Sequence, residues 1–372
     1  MLNALRWFCL VLVLVVVSPV GAQETPAPLL DLVVRLPAPS GELSRDLSYV
    51  DMATIRAAHP NLDLLDPKGP AAAYVAGSSA LADLFQADMN GMQQAIGIRF
   101  ADIDRVLAYG TPPGFITILQ GTFDGGAVRA ALDTLGFVTD SPDPAYTRFC
   151  NPEGCDHAAD VSFKTRNLAN PFGGQLGRYE AIALFDRPEP GMDILMSSPA
   201  YRLLEATAAR FAAAEVSDSD PSLLQTVSAL QSVAGDQALA AALIVPTNAV
   251  GENTVRDTAL PPYEALAIGA YTAAEGTGHA EVALIYADGA QVEAVPPAVV
   301  ARLDQPSAFA RGKTYKALFE ERGVTVSDFR YQPLEDGWGA LMVTLTTEGR
   351  VNFGYALLIR LLMARDLGWL AP

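Results

Sequence analysis

The sequence predicts an α+β fold: two halves of mainly antiparallel sheet, each with helices packed on one face. Three observations lead there. Short apolar runs bounded by Gly, Pro, Asn and Asp recur along the chain, as strands do. Between them lie apolar stripes at helical spacing, several preceded by Asp or Ser. The order strand–helix, then hairpin–helix, occurs twice, from Phe115 and again from Tyr263. A ferredoxin-like duplication fits that order.

The first 22 residues stand apart. Met1 to Trp7 carries one charge, Arg6, and Phe8 to Val17 is an unbroken apolar run. Ser18 to Ala22 then supplies a break and a small-residue cleavage site before Gln23. This reads as a secretory signal peptide, too short for a membrane span. It predicts a periplasmic or secreted product with no span in the mature chain. Cys9 lies inside the apolar run rather than after it, against a lipid-anchored precursor.

From Gln23 the elements follow in order. Leu29 to Leu36 has helical spacing, ended by Pro37 and Pro39. Leu47 to Val50 is a short strand, and Asp51 caps a helix over Met52 to Ala58 that His59-Pro60 stops. Residues 61–77 are turn-rich, and a helix through Leu81, Leu84 and Met89 follows. Phe115 to Gly121 reads as a buried strand. Asp124 caps a helix that ends at Gly136. Residues 138–177 are irregular. Tyr179 to Phe185 and Met192 to Met196 form a hairpin, followed by helices from Pro199 to Glu215 and from Pro221 through Leu230.

Residues 246–262, with Pro246, Gly251, Pro261 and Pro262, read as a linker between an N-terminal domain (23–245) and a C-terminal domain (263–372). Beyond it come strands at Tyr263 to Thr272 and Glu281 to Tyr286. A helix from Gln291 to Leu303 must kink or split at Pro296-Pro297. Tyr315 to Arg322 is a short helix ended by Gly323. Val324 to Tyr331 and Trp338 to Thr346 form a second hairpin, and Phe353 to Leu367 a strongly apolar terminal helix.

One stretch resembles a known group. Asp102-Ile103-Asp104, Tyr109-Gly110-Thr111-Pro112-Pro113, Gly121-x-Phe123-Asp124 and Leu135-Gly136-Phe137 resemble a pattern in uncharacterised secreted bacterial proteins. The resemblance implies a secreted α+β domain and no known activity.

Composition narrows function by exclusion. Half the residues are hydrophobic and 18% are charged, so the chain can bury a core. The formal charge is −17, and loss of residues 1–22 leaves −18. With no basic cluster to offset it, nucleic-acid binding and binding to anionic membrane are disfavoured.

Cys150 and Cys155 are the two cysteines left after cleavage. Separated by Asn-Pro-Glu-Gly turn chemistry, in an oxidising compartment, they predict one disulfide that pins a loop. The sharper alternative is zinc on Cys150, Cys155 and His157 with Asp156 or Asp160; no second ligand pair supports it.

His59, His157 and His279 sit in no nucleophile or metalloprotease motif. Gly121 to Gly126 lacks the Lys-Ser/Thr of a phosphate loop, and Gly173-Gly174-x-x-Gly177 precedes a strand, the wrong order for a dinucleotide fingerprint. No catalytic, cofactor or metal residues are assigned. The expectation is a non-enzymatic binding protein engaging another envelope protein. Its rivals are a periplasmic hydrolase with a site in the 138–177 loops, and a small-ligand binder in an inter-domain cleft. The terminal helix reads as a cover for the second sheet, or as a partner-binding helix.

Overall fold

The computed structural model describes residues 28–38, 45–61, 66, 74, 78, 81, 84, 91–142, 144–189, 192–214, 219–233, 237–250, 259–272, 278–347 and 352–372. The expected signal peptide, most of the expected helix through Leu81 and Met89, and part of the expected linker lie outside them.

Among the described residues, twelve strands form one sheet. They are β1 (Leu47–Asp51), β2 (Ile103–Thr111), β3 (Gly114–Gly121), β4 (Val138–Pro142), β5 (Thr147–Cys150), β6 (Ala181–Glu189), β7 (Met192–Ser198), β8 (Ala238–Pro246), β9 (Ala265–Thr272), β10 (Gly278–Tyr286), β11 (Val324–Pro333) and β12 (Gly339–Thr347). Their order is β11-β12-β10-β9-β8-β1-β2-β3-β7-β6-β5-β4, and every pairing is antiparallel. The N-terminal strand β1 sits inside, with Tyr49 opposite Leu107 on one side and Ala242 on the other. The flanks of β1 differ in strand number and in connection order. Strands on either side of the expected linker, β8 and β9, pair directly, Ile244 opposite Ala267.

The described residues form nine α-helices: α1 (Pro28–Val33), α2 (Met52–Ala58), α3 (Met92–Ile96), α4 (Gly125–Thr134), α5 (Tyr201–Ala213), α6 (Pro221–Gln231), α7 (Val295–Arg302), α8 (Tyr315–Glu321) and α9 (Phe353–Met363). Their ends follow local chemistry. The Asp51 carboxylate accepts from Thr54 N at 2.8 Å, and that of Asp124 from Gly126 N and Ala127 N at 3.0 Å. Pro296-Pro297 split the expected long helix: a 3₁₀ stretch over Gly289–Ala294 precedes α7.

Helices cover both faces of the sheet, not one as expected. On the front face, Val106, Leu119, Leu195, Ile268, Val282 and Val343 pack beneath α2, α3, α4, α7, α8 and α9. On the back face, Leu107, Ile118, Met196, Ala267, Ile285 and Met342 form a second core with α1, α5 and α6. The physical reason is visible in the strands. A strand buried on one face alternates apolar with polar residues; β9 is buried at all eight positions.

The terminal helix covers the front face. Leu357, Leu358, Ile359, Leu361 and Leu362 are buried, while Phe353 is half-buried and Met363 is 79% exposed. Beyond it Leu367, Trp369 and Leu370 complete the same core. Asp366 holds this segment: its carboxylate accepts from Ser307 Oγ and Tyr315 Oη, both at 2.6 Å, and from Phe309 N at 2.7 Å.

Candidate functional site

The segment between β5 and β6 joins the features the sequence brought forward. Asn151 begins a turn: its carbonyl accepts from Gly154 N at 2.8 Å and its side chain from Glu153 N at 3.0 Å. Gly154, at φ 120°, completes it, and Cys150 and Cys155 come to disulfide distance with their Cα atoms 4.7 Å apart. His157 faces Asp160, Nδ1 to Oδ2 2.9 Å, on the exposed side of the turn. This hydrogen bond raises the imidazole pKa above its usual value. The cysteine sulfurs have Asp140 as their acidic neighbour, not His157: the three ligand atoms lie within 4.8 Å of one another. So the structure does not bring the expected zinc set together: the two sulfurs neighbour Asp140, which was outside that set, and His157 pairs with Asp160.

The glycines at 173, 174 and 177 build the rest of the loop. A Cβ on Gly177, at φ 68°, would stand 1.8 Å from Ser162 O, and one on Gly174 would stand 2.3 Å from Asn167 O. Two backbone stretches therefore approach closer than any side chain permits. Hydrogen bonds close the contact: Thr165 Oγ1 donates to Gly177 O at 2.9 Å, and Asn167 N to Gly174 O at 2.9 Å. Asn167 and Asn170 side chains accept from Ala169 N and Phe172 N, each at 3.0 Å.

The result is a braced loop that shows apolar residues to solvent. Phe163 is 74% exposed, Val161 51% and Leu168 43%, with Lys164 and Arg166 interleaved and also exposed. Sequence reasoning passed over Phe163. Its signal was an aromatic followed closely by two cations, Lys164 and Arg166, in a segment too short for periodicity to register.

Beneath the loop is a cleft of about 220 Å³ on the front face. Its floor is Ala108, Gly110, Thr117 and Ser197, with Thr117 and Ser197 opposite each other on β3 and β7. Pro112, Phe115, Phe172 and Leu176 form apolar walls, and Arg178 and Glu180 stand together at one side. The cleft lies within the N-terminal half. The alternation Leu107-Ala108-Tyr109-Gly110 is its sequence signal: large residues fill the back core, small ones leave space in front.

A second polar group lies on the back face of β10–β12–β11. Glu281 is 2% exposed, accepts from Thr344 Oγ1 at 3.0 Å, and has His279 Nε2 at 3.4 Å and Arg330 Nη2 at 3.5 Å. His279 stacks on Tyr271, centroids 4.9 Å apart. His59 meets the Tyr74 hydroxyl at 3.1 Å, and its burial lowers the imidazole pKa. The three histidines thus occupy three separate places.

No helix among the described residues is long and apolar enough to cross a membrane. No family model matches the chain, and no curated protein matches it. Among solved structures, TP0453 in crystal form I is similar with a TM-score of 0.36 and 8% identity, over 88% of this chain and 96% of that one. A likeness this distant bears on neither fold nor function.

Proposed function

We propose that the chain is an extracytoplasmic, non-enzymatic binding protein that engages another envelope protein through the loop carrying Phe163. The observation that carries the reading is the 74% exposure of an aromatic ring on a loop that is braced rather than loose. A rigid loop has already lost the conformational freedom that docking would otherwise cost, and aromatic anchors dominate interface energetics. Lys164 and Arg166 favour an apolar pocket with an acidic rim. The signal peptide and the Cys150–Cys155 pair support an oxidising compartment.

Site-specific photocrosslinking in the envelope tests this. A photoreactive phenylalanine analogue at Phe163 should give one discrete protein adduct, and the same analogue at Met363, which is 79% exposed, should not. The Phe163→Ser chain should melt like the parent and lose the partner. Absence of an adduct at Phe163, or the same adducts at both positions, refutes the reading.

A further inference from the structure

We infer that the cleft beneath the braced loop binds a small uncharged molecule with an apolar ring and one hydrogen-bonding oxygen. This rests on the inner face of the loop and stands independently of any partner on the outer face.

Size comes first. A cavity of about 150 Å³ lined by aliphatic and aromatic side chains holds benzene. At about 220 Å³, this cleft takes one ring with a short substituent. The walls set the body of the ligand. Pro112, Phe115, Phe172 and Leu176 present carbon, and Ala108 and Gly110 give up volume at the floor where larger residues would fill it. This is the composition of a ligand pocket: apolar lining with a few converging polar groups.

Those polar groups set the head. Thr117 is 7% exposed and Ser197 1%, and they lie in register on one face of adjacent strands, so two hydroxyls meet at one place in the floor. Arg178 lines the same cleft and brings guanidinium N–H donors to it, from which a ligand oxygen can accept. Charge sets the last condition. Arg178 and Glu180 both pack against Gly173, so the cleft already holds one cation beside one anion. A carboxylate would meet Glu180 and an ammonium would meet Arg178, each in surroundings that penalise an unmatched charge. An alcohol or carbonyl meets neither penalty.

The test uses the full mature chain and four single-ring probes, benzyl alcohol, toluene, benzoate and benzylammonium, followed by ligand-observed NMR. Benzyl alcohol should bind saturably, at least about tenfold more tightly than either ion. Ala108→Leu should fill the floor and abolish binding without lowering the melting temperature. Thr117→Val should weaken benzyl alcohol and leave toluene unchanged, a split that a merely structural role would not produce. Phe163→Ser should leave all probe binding intact, which separates this site from the partner surface. Should Ala108→Leu fail to fold, Thr117→Val and Ser197→Ala decide the matter. Binding of the ions as tight as the alcohol, no saturable binding of the alcohol, or binding indifferent to a folded Ala108→Leu overturns the inference.

Discussion

Truncation before Phe353 should abolish folding outright. Leu357, Leu358, Ile359, Leu361 and Leu362 are buried on the front face against β9, β10 and β12. Burying one such side chain is worth about 1.5–3 kcal/mol, so the five amount to roughly 8–15 kcal/mol. That equals the net stability of a typical protein, about 5–15 kcal/mol. The cut also removes Asp366, which holds Ser307, Tyr315 and Phe309. Soluble yield, far-UV circular dichroism and thermal melting provide the assay. A graded control is Leu358→Ala, 0% exposed in the parent, which should cost about 2–5 kcal/mol and lower the melting temperature by about 3–7 °C. Met363→Ala, at a site 79% exposed, should do almost nothing. A truncated chain that stays soluble, monomeric and cooperatively folded would refute the reasoning, because the sheet would then not need its cover.

Four further outcomes follow from the same structure. Reducing the Cys150–Cys155 pair, or replacing both with Ser, should cost about 2 kcal/mol for so small a loop and leave the melt cooperative; loss of all structure would contradict a local role. Gly177→Ala should spring the loop from its brace, seen as faster amide exchange at Asn167 and Gly177 with the sheet unchanged. His157 should titrate by NMR above 6.5, and Asp160→Asn should bring it down. Since its folded pKa is raised, the stabilising contribution is present below the imidazole's ordinary value and is lost as pH rises through the raised one. Limited proteolysis should nick the chain within 246–262, and the two fragments should stay associated because β8 and β9 are paired across it.

Local chemistry was legible in the sequence wherever a few adjacent residues decide the outcome. Asp51 and Asp124 cap the helices they precede, Pro296-Pro297 split one, and Gly136 and Gly323 take positive φ after α4 and α8. Strands whose identity depends on distant partners were not legible. In β2, Asp104 and Arg105 interrupt the apolar run; they are accommodated by Arg56 on α2 and Asp51 on β1. The Ala-rich run of β8 has no strand preference of its own and extends because β1 and β9 flank it. Burial on both faces was present in the all-apolar β9, yet such a run is equally compatible with a buried helix. The site was hidden for the same reason. Gly177 matters because of Ser162, and Thr117 because of Ser197, and neither relation has a spacing.

The interior position of β1 governs the order in which the molecule can be assembled. A chain emerging amino end first can pair β1 with β2 early, but the other edge of β1 stays open until β8 emerges, about two thirds of the way along. Until then five consecutive buried residues, Leu47 to Asp51, end in a bare edge able to recruit any passing strand. The half-made sheet is thus a hazard that the finished one is not, and pausing between β7 and β8 prolongs it. Whatever shelters nascent chains, ribosome-bound or in transit through a pore, has its longest task here.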